Sequence, residues 1–158
     1  MRCNVQNQSC MAVASVQAPV PGRSDAMRRI ASERPGTGAC TLASAMQLWF
    51  WTLQHMLEAK DADGVKLYHK TRQGVTFSLA DTLCWLLAAR QFILDVIELE
   101  TKGAANPALA GGLAGTVAFF TDLCHVQAAR AAGEAGRICA EIVHGYNRHP
   151  PKTAPPNR

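Results

Sequence analysis

A chain of 158 residues has room for one domain with a modest core, and 48% apolar residues is ordinary for a globular protein. The net charge of +4 sits in the tails: residues 1–41 carry +3, residues 146–158 another +3, and the body between them −2. That distribution argues against nucleic-acid binding by the folded body, and the uncharged run 103–121 is too broken by Asn106, Pro107 and four glycines to span a bilayer.

Residues 1–40 show little periodicity and contain "APVPGRS" and "RPGTG", so they read as a disordered leader with at most a turn of helix near Met27. The first strong helical stretch is 42–59, "LASAMQLWFWTLQHMLEA", which stops before the turn-forming "DADG". The connection 60–75 is long for a compact helical domain and reads as a functional loop or a short helix.

A second helix is expected over 76–102, capped by Thr76 or Ser78, with Asp81 in its first turn and Gly103 as a left-handed C′ residue. At 100° per residue, Asp81, Gln91, Asp95 and Glu98 form its one polar stripe, and nearly everything else is apolar. A third stretch opens with Asn106 as cap before Pro107. Unbroken to Gly145 it would be about 58 Å long, beyond the width of a small domain. A break at Gly111, Gly112 and Gly115 is therefore expected, leaving a long helix over about 116–144. The tail "HPPKTAPPNR" is proline-rich and is expected to be disordered. The fold class that follows is all-α: an up-and-down bundle of three to four helices over 41–146, with a leader at 1–40 and a tail at 147–158. Three or four such apolar helices have more oily surface than they can hide among themselves, so part of it is expected to belong to a partner.

Of the six cysteines, Cys3, Cys10 and Cys40 lie in the leader and Cys84, Cys124 and Cys139 in helical stretches. No apolar h-region follows the first arginine, so free thiols in a cytoplasmic setting are expected. Cys124 and His125 are adjacent on a helix and point about 100° apart, which is wrong for a nucleophile and its base. Cys124 and Cys139 are separated by about 22 Å of helix, too far for one metal ion, so no metal site is expected. Small residues on one helix face explain them instead, with His125 as a buried, hydrogen-bonded imidazole. The opposite face carries Arg130, Glu134, Arg137 and Glu141 as a ladder of alternating charge; the sharper alternative takes Arg130 or Arg137 to a phosphate or a partner carboxylate. Arg90 falls inside the apolar arc of the second helix. It needs a carboxylate, helix-end carbonyls, a ligand phosphate or a snorkelling route to water.

The stretches "LYHKTRQGVTFSLADTLCWLLAARQFILDVIELE" and "FFTDLCHVQAARAAGEAGRICAEIVHGYNRHP", roughly 66–150, resemble the C-terminal helical domain of an acyl-CoA dehydrogenase-like flavoprotein. "Arg90-Gln91-Phe92" resembles that family's R-x-Q-F-G flavin-contact segment, without the intervening residue and with Ile93 in place of the glycine. The resemblance implies FAD as cofactor, with Arg90, Gln91 and Phe92 at its edge. It further implies a role in oligomer packing beside the remaining dehydrogenase domains, which this chain lacks the length and the β-rich segment to supply. No catalytic glutamate is singled out. The alternative expectation is a non-catalytic interaction module that dimerises through the second and third helical stretches.

Overall fold

The computed structural model describes residues 23–60, 64–70, 73–109 and 111–145. Four α-helices account for most of them: α1 (Arg23–Glu33), α2 (Ala39–Glu58), α3 (Gln73–Lys102) and α4 (Leu113–Ala140). Short 3-10 turns at Gly103–Ala105 and Pro107–Leu109 join α3 to α4, and α4 runs on into a π-turn at Glu141–Gly145. The all-α expectation holds among these residues, where the extended structure is a single bridge between Lys60 and Lys66.

The contacts give the three long helices alternating directions. Phe92 of α3 meets Phe120 of α4 edge-on at 6.2 Å, and Gly103 packs beside Leu113, so α3 and α4 run antiparallel. Gly38 sits on Cys124 and Ala128, while Thr52, a full 14 residues further along, lies beside Cys139, so α2 and α4 run parallel. The indole N–H of Trp49 in α2 donates to the carbonyl of Leu79 in α3 at 2.8 Å. α2 is the central rod: it touches α1, α3, α4 and the closing π-turn. Its Leu42, Met46, Trp49 and Met56 meet Leu79, Leu86 and Ile93 of α3 and Ala128, Ala131 and Ala135 of α4 in one continuous core.

The core face of α3 is narrow. Val75, Leu79, Thr82, Leu86, Ala89, Ile93 and Val96 are its buried residues, spaced alternately four and three apart. That is the seam of a coiled-coil-like pair. α4 answers with Cys124, Ala128, Ala131, Ala135 and Ile138 at the same spacing. The small side chains of α4 let the axes approach closely, and the large ones of α2 and α3 fill the space.

Several boundaries differ from the sequence expectation. Residues 23–33 form a helix because Met27 faces the core with no exposure and Ile30 and Ala31 extend its apolar side. The bundle thus begins inside the stretch read as leader, and the disorder expected of 1–22 and 147–158 lies outside the described residues. α3 starts at Gln73, which puts Thr76 and Ser78 inside the helix rather than at its cap; the Ser78 hydroxyl donates back to the Gly74 carbonyl at 2.8 Å. Gly103 is not left-handed. It opens a 3-10 turn, and its missing side chain lets Leu113 pack against that turn. Asn106 does cap, its Oδ1 accepting the Ala108 N–H at 3.0 Å, but what it caps is the 3-10 turn Pro107–Leu109 and not the third helix, which begins at Leu113. Gly111 is the left-handed break (φ 97°), whereas Gly115 lies within α4.

"PGTG" is a structural turn rather than a phosphate loop. Gly38 precedes α2 at φ 78°, and a Cβ there would lie 2.7 Å from the Cβ of Ala128. Thr37 hydrogen-bonds the Arg34 carbonyl at 3.1 Å, and Arg34 ion-pairs with Glu100, tying this turn to the far end of α3.

Candidate functional site

Arg90, Gln91 and Phe92 are consecutive on a helix and therefore diverge. Gln91 is exposed and donates to Asp95 Oδ1 at 2.8 Å. Phe92 is half-buried against Phe120. Arg90 is half-buried, and its guanidinium makes no ion pair or hydrogen bond with a described residue, which leaves the route to water along its own stem. The three side chains line no common pocket. A cavity of about 290 Å³ opens at the far end of α3, lined by Asp95, Glu98, Lys102 and Asn106 among others, but Gln91 already engages Asp95 and Glu98 holds the Lys102 ammonium at 2.8 Å.

The cysteines on the core face are packing residues. Burial pushes the Cys124 thiol up to about 11, with the Asp95 carboxylate adding to the effect. Burial likewise raises Cys139, against a smaller opposing pull from its hydrogen bond with Thr52. A thiol that resists ionisation is a poor nucleophile. Cys84, by contrast, is free and exposed on the outer face of α3. Cys40 corrects the expectation of free thiols throughout: it is disulfide-bonded. His125 is also corrected. It is exposed, because the seam of α4 turns on Cys124 and Ala128 and places the next residue outside it.

The charged ladder on α4 is formed in part. Arg137 reaches Glu134 at 2.6 Å and Glu141 at 2.7 Å, and hydrogen bonding to Arg137 lowers the carboxyl of Glu134. Arg130 takes no partner among the described residues, although Glu134 is one turn away. Among the described residues, no group of three or more His, Cys, Asp or Glu is placed to hold a metal ion.

What stands out is apolar. Phe77, Trp85 and Leu87 of α3 are 60%, 45% and 40% exposed; Phe119, Leu123 and Val126 of α4 are 60%, 37% and 57% exposed. Scattered exposed apolar residues need no explanation, but those of α4 follow a pattern. On α4 the three are spaced four and three apart, so they form one stripe on the side opposite the seam. Phe119 also stacks edge-on with Phe120 at 5.4 Å, and Phe120 with Phe92, so the stripe continues over the α3–α4 junction. On α3, Phe77, Ala80, Cys84 and Leu87 form a second outward stripe. The sequence pattern predicts a surplus of apolar surface on α3; on α4 it shows only the charged ladder, and the stripe there emerges from the structure.

No helix is long and apolar enough to cross a membrane among the described residues. Comparison with protein-family models, with curated proteins and with solved structures finds no match to this chain.

Proposed function

We propose that this protein is a helical interaction module that self-associates through the outer faces of α3 and α4. The observation that carries this reading is the α4 stripe of Phe119, Leu123 and Val126, continued through Phe120 onto Phe92. Exposing such a surface to water is costly at roughly 25 cal/mol per Å² of apolar area, and covering it with protein recovers that cost. The bundle beneath is complete without it: both helices already have a continuous buried seam. The stripe is therefore additional to folding, which is what a docking surface requires.

Light scattering of the full chain at micromolar concentration tests this directly. A dimer or larger species is expected, and a monomer that persists as concentration rises would end the reading. The flavoprotein alternative rests on the resemblance of "ARQF" and the alanine-rich helices alone. It predicts flavin absorbance after co-expression with the missing dehydrogenase domains. The cytoplasmic expectation has the free thiols of Cys84, Cys124 and Cys139 on its side and the Cys40 disulfide against it.

A further inference from the structure

The outer face of α4 is complementary to itself in the antiparallel sense, and we infer that its occupant is the α4 of a second copy, crossed at a two-fold axis through Val126. This inference rests on the self-association reading above and adds the surface, the register and the partner residues. An isologous antiparallel pair brings each residue opposite the one equally far from the centre on the other side. With Val126 paired with itself at the centre, the large apolar residues to either side of it on this face meet small ones. Phe119 faces Gly133 of the other copy, and Leu123 faces Ala129. At the ends Arg137 faces Gly115, and Thr116 faces Gly136.

Gly133, Gly136 and Gly115 are open enough for this: a Cβ built on any of them meets nothing within 4 Å. Nothing in the bundle requires glycine there, since none of the three has a positive φ and helix interiors disfavour glycine. An incoming Phe119 ring gives Gly133 a reason that the isolated fold does not.

Charge selects the same register. Asp122 and Arg130 lie four residues either side of Val126, so each Asp122 carboxylate faces the other copy's Arg130, twice by symmetry. Within the protomer neither side chain makes an ion pair or hydrogen bond among the described residues. Arg137, nearer the end of the face, is already satisfied by Glu134 and Glu141. The α3 stripe has no equivalent: antiparallel pairing about Cys84 sets Asp81 against Leu87 and leaves the acid unpaired. Complementary charge fixes register more than it adds affinity, so the apolar residues supply the attraction and the two ion pairs the alignment.

Sedimentation equilibrium on the full chain and on charge-reversal variants tests this. The wild type is expected to be a dimer at micromolar concentration. Asp122→Arg alone and Arg130→Asp alone each place like charges together twice and should weaken dimerisation by on the order of tenfold or more. The double variant restores opposite charges and should return to near wild-type affinity. Melting followed by circular dichroism keeps folding defects apart from association defects, since both positions are on the outer face. A Val126→Cys variant in a Cys84→Ser background should form a 126–126 disulfide on mild oxidation, identified by mass spectrometry of the cross-linked peptide. A dimer indifferent to the charge reversals, or a wild type that cross-links through Cys84 while the Val126→Cys variant does not cross-link at position 126, overturns this register while leaving self-association intact. A chain monomeric throughout overturns both.

Discussion

Cys84 and Cys124 carry one functional group into opposite surroundings, and the difference is measurable. Cys84 faces water from α3, while Cys124 is sealed into the α4 seam and its thiol is raised to about 11. A disulfide reagent near neutral pH should therefore titrate Cys84 at once and reach Cys124 and Cys139 only on unfolding. The same shift ties stability to pH. Because the folded thiol holds its proton above the usual thiol value of 9.0, the unfolded chain loses protons first as pH rises. The contribution is intact below about pH 9 and is lost progressively toward pH 11. Denaturant midpoints across that window should fall for wild type, and less for Cys124→Ala measured against its own value at neutral pH. At Gly38, left-handed backbone and the approach of Ala128 coincide. Gly38→Ala should cost about 1–3 kcal/mol in denaturant unfolding. The composition of "PGTG" marks a turn, but its contact with α4, some 90 residues later, has no local signal. Arg90 and His125 make the same point. A wheel gives their angle on the helix, and the neighbours packed at that angle decide whether it is wet.

Each of the long helices has two faces, and on α3 they differ in burial. Ile93 belongs to the buried seam, and Leu87 to the outward stripe. Ile93→Ala should destabilise the fold by about 2–5 kcal/mol, the usual loss of transfer energy plus a residual cavity. Leu87→Ala should move the denaturant midpoint much less, because its side chain is already 40% exposed. Equal losses at both positions would mean that the two faces are not distinct. The existence of α2, α3 and α4 was legible because each holds an apolar period over many turns. Their starts were less so: α2 and α3 each begin three residues before the expected position, without a side-chain cap at Thr76 or Ser78. α1 was missed because it is short and mostly polar, and one buried residue, Met27, with the half-buried Ile30 beside it, anchors it. Met27→Ala should detach that helix at a cost of about 2–4 kcal/mol, read as a lower midpoint with reduced helical signal.

In the whole molecule, α2 is enclosed by the other three helices and the turns between α3 and α4 are exposed. Amide hydrogen exchange should follow that layout, with the amides of Leu42–Thr52 opening only on global unfolding and those of 103–112 exchanging early. Slow exchange in α4 that weakens on dilution would point to association, since its outer stripe gains protection only in a complex. The three long helices, the alternation of their chain direction and the excess of apolar surface could be read from the sequence, because all three follow from period, breaker residues and short connections. Three things depended on the tertiary structure. These are the partner that each face meets, the burial of Cys124 with the exposure of its neighbour His125, and the stripe of Phe119, Leu123 and Val126 left over once the core is full. The reason is geometric. A period states which residues share a side of a helix, and only the packing of all the helices together settles which of those sides remains for another molecule.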